Sequence, residues 1–115
     1  AKLHKDGNLQ MLRFYELARE FIDSVTFEDC VCRLNNLFYF CYGLVWDENK
    51  GLYRLQIDKF RRLYPETDFV ETVLDVKCKS KEECMKCFLE NPIWDGRKYW
   101  DAVPEMVWTD YAGNE

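Results

Sequence analysis

The chain has 115 residues, 48% of them apolar and 17% aromatic, and a net charge of −5. That length predicts a single domain over 1–115, and so many large rings provide a core without metals or cross-links, which argues against intrinsic disorder. The acid excess argues against a protein held to nucleic acid by phosphate contacts, and no apolar run approaches the roughly 20 residues that span a bilayer.

The stretch NLQMLRFYELAREFIDSV predicts a first helix, because Met11, Phe14, Tyr15, Ala18, Phe21, Ile22 and Val25 recur at spacings of three and four. Ser24 or Thr26 is placed to cap a second helix, in which Cys30, Val31, Leu34, Leu37, Phe38 and Cys41 repeat the spacing and Gly43 suits the end. So short a connection makes the two helices antiparallel. After Gly43 the period changes. LVW, the loop DENKG and the alternating LYRLQID predict a hairpin, although Tyr53, Ile57, Phe60 and Tyr64 also fit a helical spacing. YPETD has turn chemistry, and in FVETVLDVKC the residues Val70, Thr72, Leu74, Val76 and Cys78 alternate along one strand face. Ser80 with Glu83 opens the helix KEECMKCFLEN, which Pro92 follows. Asp95-Gly96 predicts a turn, RKYWDAV one helical turn, and MVWTDY a short edge strand. The fold class expected is α+β: two N-terminal antiparallel helices packed on a small antiparallel sheet of three to four strands, with a further C-terminal helix.

Six cysteines, at 30, 32, 41, 78, 84 and 87, allow either three disulfides and secretion or buried thiols in a reducing compartment. With a core available and no signal-peptide pattern, the cytoplasmic reading is adopted. Cys84 and Cys87 form a CxxC, but Ser80 takes the cap, so Cys84 falls inside the helix and away from the amides that activate redox thiols. Zinc needs four convergent ligands. Cys78, Cys84 and Cys87 offer three, Cys30 and Cys32 diverge on the helix expected there, and His4 is the chain's one histidine. No metal or cofactor is therefore expected. Catalysis is not expected either, since the commonest general base is scarce and no glycine-rich phosphate loop or nucleophile elbow occurs. The basic groups at Lys77, Lys79, Lys81 and Lys86, and at Arg61-Arg62, lack interleaved aromatics and read as solvated charge.

The segment NPIWDGRKYWDAVPEMVWTDY (91–111) is different. It places Trp94, Trp100 and Trp108 among Asp95, Asp101, Glu105 and Asp110, within a tail (90–115) that has six acids and two bases. The rings either cap the core or, ringed by carboxylates, form a binding face for a basic partner; both can hold at once.

FVETVLDVKCKSKEECMKCFLENPIWDGRKYWDAVPEMVWTDY resembles the C-terminal half of small bacterial immunity proteins, specifically those against ribonuclease toxins of the contact-dependent growth inhibition type. AREFIDSVTFEDCVCRLNNLFYFCYGL is compatible with their helical front half, so the resemblance covers residues 9–111. It implies a cytoplasmic, non-enzymatic protein that binds one cognate toxin domain and blocks its active site or its access to RNA, with no direct nucleic-acid or membrane partner. The residues expected at that interface are Trp46, Asp47 and Glu48 on the first hairpin, and Trp94, Asp95, Asp101, Glu105 and Asp110. Two alternatives stand beside it: a mobile-element or phage inhibitor of a host nucleic-acid enzyme, and a small thiol or zinc-binding structural protein.

Overall fold

From Cys30 onward the chain is rich in aromatic side chains, which suit the pleated, half-buried surface of a strand. The computed structural model describes residues 29–115, and these form a five-stranded antiparallel sheet: β1 (Cys30–Leu34), β2 (Leu37–Asp47), β3 (Leu52–Arg62), β4 (Asp68–Cys78) and β5 (Val107–Thr109), in the order β4-β3-β2-β1-β5. Between β4 and β5 lie helix α1 (Lys81–Glu90), a four-residue helix α2 (Tyr99–Ala102) and a 3-10 turn (Val103–Glu105). β1 to β4 follow one another as a meander. The helical segment then carries the chain back across the sheet so that β5 pairs with β1.

This corrects the expected fold class of two N-terminal helices on a small sheet. The first of those helices, 8–25, lies outside the described residues. The second is replaced by the β1–β2 hairpin, in which Cys30 faces Cys41 and Leu34 faces Leu37. The apolar spacing of Cys30, Val31, Leu34, Leu37, Phe38 and Cys41 was compatible with a helix because this hairpin is apolar on both sides, and a continuous apolar run has no diagnostic period. The local signal that decides for strands is Asn35-Asn36. Both residues have positive φ, 51° and 63°, as the two central positions of a type I′ hairpin turn require, and asparagine tolerates that region better than most side chains. Gly43 does have the left-handed backbone expected of it (φ 69°), but it serves a β-bulge. Cys41 pairs with Ile57 and Leu44 with Leu55, leaving Tyr42 and Gly43 together opposite Gln56. The helical alternative for 52–64 is overturned by β3, an eleven-residue strand paired on both sides.

The principal core lies on one face of the sheet. Cys32, Leu34, Tyr39, Cys41, Leu55, Ile57, Leu74 and Cys78 contribute from the strands, and Cys84, Met85, Phe88 and Leu89 from α1. Ser80 caps α1 as its sequence predicts, its hydroxyl accepting from the Glu83 amide at 3.2 Å, while the Glu83 carboxylate accepts from the Lys79 amide. The alternation expected for β4 is interrupted. Thr72 pairs with Asp58 and Leu74 with Ile57, so a bulge turns Thr72 to the opposite face, where its hydroxyl donates to Asp58 at 2.8 Å. That second face has a smaller apolar cluster of Val31, Phe60 and Leu63 with Phe38 and Phe40 against it.

Since the β1–β2 turn needs positive φ at both centres, Asn36→Val should lower stability by about 1–2 kcal/mol, whereas Asn36→Gly should be near neutral or better. Urea unfolding of the two variants checks this, and equal midpoints would contradict the turn assignment.

Candidate interaction surface

After α1, the chain must turn sharply to lie along the sheet edge. Trp94 and Arg97 exchange backbone hydrogen bonds, both 3.1 Å, across Asp95-Gly96, whose φ values of 56° and 75° make a second tight turn. This fixes what the four residues do. The Trp94 ring goes inward, 2% exposed, against Tyr39, Phe88 and Tyr99 at centroid distances of 5.2–5.5 Å. Its indole N–H donates to the Phe88 carbonyl at 3.3 Å, satisfying the one polar atom the burial encloses. Asp95 goes outward. Its amide donates to the Tyr39 hydroxyl at 3.1 Å, and its carboxylate accepts from the Asn35 side chain at 2.5 Å, so the two tight turns abut.

The α2 segment buries Tyr99 and Ala102 and leaves Asp101 exposed. Burial pushes the Tyr99 hydroxyl well above its ordinary value, with the nearby Cys32, Cys30 and Cys41 adding to the rise. Glu105 on the 3-10 turn is exposed and pairs with Arg97. Trp108 sits on β5 opposite Cys32 and is 42% exposed. Past β5, Asp110 organises the terminal turn: its carboxylate accepts from the amides of Ala112 and Asn114, both at 2.9 Å. Those donors, Asn114 first, hold the Asp110 carboxyl below its usual range. Tyr111 then stacks on Phe40 at 5.7 Å, and Glu115 pairs with Arg33 at 2.5 Å.

The eight residues expected at an interface therefore divide. Asp95, Asp101, Glu105 and Asp110 all lie exposed on the segment that flanks β5, whereas Trp94 belongs to the core. Trp46, Asp47 and Glu48 lie at the β2–β3 turn, at the other end of β2 from Asn35 and Asp95. Ten residues of strand separate those ends, about 30 Å at the usual rise. There Trp46 is 47% exposed and packs on Tyr53 at 4.6 Å, and the Asp47 carboxylate accepts from the Asn49 and Lys50 amides. The shallow depression beside them, about 480 Å³, also contains Lys50, Arg54 and Lys77, so that end is of mixed charge.

Two features escaped the sequence reading. The first is a groove of about 390 Å³ on the second face, lined by Asp29, Phe40, Tyr42, Leu63, Tyr64 and Tyr111. Its rings come from β2, from the turn after β3 and from the terminal turn after β5, segments far apart in sequence that only the assembled sheet brings together. Beside it, Asp58 is buried and accepts from Gln56 and Thr72, and burial with the Asp58 carboxylate pushes Tyr42 up to about 12. The second is the cysteine arrangement. Cys30 and Cys32, expected to diverge, share one face because residues two apart on a strand do so, and Cys41 faces Cys30. Cys78, Cys84 and Cys87 form a second group where the end of β4 meets α1, and the Cys84 thiol donates to the Tyr53 carbonyl at 3.7 Å. All six are free thiols, and no cluster among the described residues has the geometry to hold a metal ion. His4 lies outside the described residues. No described helix is long and apolar enough to cross a membrane.

No protein-family model, curated protein or solved structure matches the chain.

Two expectations follow for the tryptophans and the tail. Trp94→Ala should cost about 3–5 kcal/mol of unfolding free energy, and Trp108→Ala less than about 1 kcal/mol, as read by urea titration. A depressed carboxyl stabilises the folded form above its unfolded pKa and loses that contribution as pH falls through the folded one. The Asp110 turn should therefore be intact at neutral pH and open only as pH falls below the ordinary carboxylate range, seen as faster hydrogen exchange at the Ala112 and Asn114 amides; Asp110→Asn should remove that pH dependence.

Proposed function

We propose that the chain is an immunity protein, acting in the cytoplasm without bond-making chemistry of its own, that docks a basic ribonuclease toxin domain along its β5 edge and obstructs the nuclease. One observation carries the reading: all six acids of the last 26 residues, Glu90, Asp95, Asp101, Glu105, Asp110 and Glu115, are solvent-exposed, on the segment around an edge strand that presents Trp108. Phosphate-binding enzymes need a basic surface, so an acidic face is attracted to that surface and repels the competing RNA. An exposed indole ringed by polar groups is the common form of an interface anchor. The resemblance of the stretch 69–111 to the C-terminal half of immunity proteins points the same way, whereas the helical front half expected with it is replaced by strands from Cys30 onward.

The structure refines which carboxylates test this. Asp110 holds the terminal turn and Asp95 the Asn35 contact, so reversing either would perturb the fold as well as the charge. Asp101 is exposed on α2, and Glu105 is tied only to surface Arg97. The reading requires a toxin domain encoded immediately upstream, and the double variant Asp101→Lys with Glu105→Lys should fold normally yet associate about tenfold more slowly with that domain, with a shallower dependence on salt. Stopped-flow association across a salt series measures this, and co-expression should show loss of growth rescue. Unchanged kinetics at every salt concentration would exclude electrostatic capture by this edge, and failure of the unmodified chain to co-purify with the toxin domain would remove the reading altogether.

A further inference from the structure

Cys30 and Cys41 stand directly opposite each other in the β1–β2 ladder. Directly opposed residues of an antiparallel pair have Cα atoms about 4.5–5.5 Å apart, inside the roughly 4.4–6.8 Å that a disulfide bridges. The strands are therefore already spaced for a bond that neither would have to move far to accept. Both side chains point to the same face of the sheet, where Cys41 is buried in the core and Cys30 packs against it. We propose that Cys30 and Cys41 are an oxidisable thiol pair that a hydroperoxide converts into a cross-strand disulfide. The inference stands independently of the toxin-binding reading.

The local backbone differentiates the two sulfurs. The neighbouring Cys30 thiol, and after it the Gly43 amide at the bulge, favour the Cys41 thiolate and hold its thiol below the ordinary value although burial opposes them. Cys30 is raised, first by the neighbouring Cys41 and then by burial. Cys41 is thus the attacking sulfur and Cys30 the resolving one. Cys41 is 3% exposed, so an oxidant must be small and must reach the pair past Cys30, which is half-buried at the first position of β1.

The other thiols are less suited. Cys32 shares the face but is opposite Tyr39, not a thiol, and burial pushes it up to about 12. Cys84 is likewise pushed up to about 12, chiefly by burial, and Cys87 is raised by the same cause. Cys78 and Cys84 also belong to a strand and a helix, with no ladder to set their separation.

The reaction balances in two steps. The Cys41 thiolate attacks one peroxide oxygen, an S–O bond forms as the O–O bond breaks, and the departing hydroxide takes up the Cys41 proton as water. The Cys30 sulfur then attacks the sulfenyl sulfur of Cys41. An S–S bond forms, the S–O bond breaks, and hydroxide leaves with the Cys30 proton as a second water. Two thiols and one hydrogen peroxide give one disulfide and two waters.

The test treats the full chain with hydrogen peroxide and maps linkages by mass spectrometry after non-reducing digestion. The expected product is a peptide pair joined through Cys30 and Cys41, lighter by two hydrogens and reversed by dithiothreitol. In Cys30→Ser the resolving thiol is gone, so Cys41 should accumulate as sulfenic acid and its labelling by dimedone should rise several-fold. First linkage among Cys78, Cys84 and Cys87, only intermolecular disulfides, or six free thiols after treatment would each overturn the proposal. So would unchanged dimedone labelling in a Cys30→Ser protein with native circular dichroism. The linkage map of the unmodified chain needs no variant, so a folding defect in Cys30→Ser leaves the test decisive.

Discussion

The sheet has one face that must be covered, and the aromatic cluster of Tyr39, Phe88, Trp94 and Tyr99 does the covering at its β1–β2 end. Each ring comes from a different place: β2, α1, the turn after α1 and α2. The cluster therefore ties everything after β4 back to the first hairpin. Trp94 is central to it because its ring touches the other three and its N–H closes on the Phe88 carbonyl. A buried ring set of this kind fixes direction as well as distance. With Trp94 inside, the Asp95-Gly96 turn has to point outward, and the α2 segment has to descend along the edge that β5 then occupies beside β1.

How much of this could be read in advance depends on whether a local signal was unique. Ser80 with Glu83 has one interpretation, and the helix it opens is present. The alternation Leu74, Val76, Cys78 and the turn Asp95-Gly96 were likewise legible, since period two and a positive-φ dipeptide each name one structure. The hairpin at 30–47 was not. Its residues are apolar on both faces, which abolishes the period, and three- and four-residue spacings can then be found by selection. The deciding pair, Asn35-Asn36, was present in the sequence but is informative only once strands are already suspected on both sides. Thr72 was misplaced for another reason: a bulge reverses every face assignment beyond it, and nothing in FVETV marks where the extra residue falls.

The same contrast applies to the acidic tail. Its charge was legible because counting needs no fold, but which acids are committed to the fold was not. Asp110 looks like its neighbours in sequence, yet it accepts two backbone amides and shapes the terminal turn. Asp47 does the same for the β2–β3 turn, and Asp95 meets Asn35 across two turns that are 60 residues apart. Tryptophan was equally divided. Trp94 and Trp108 occur in similar company, but one precedes a turn that throws it inward and the other lies on a three-residue edge strand. A mixture of rings and carboxylates in one segment thus answers to two demands, a core that needs anchoring and an edge that remains wet.

The exposed carboxylates that also hold turns bear on how such an edge would attract a partner. A charge engaged by backbone amides keeps its charge; the amides favour the ionised form, as the lowered Asp110 carboxyl shows. Such groups contribute to the field of the edge while being held in place, so they lose little conformational freedom on association. Asp101 and Glu105 differ, being long-range contributors on a surface helix and turn. The edge therefore combines fixed carboxylates at Asp95 and Asp110 with more adaptable ones between them. Fixed charge favours orientation of an incoming basic surface, and the exposed charge at Asp101 and Glu105 adds to the long-range field that speeds its capture, so both sets act in the encounter.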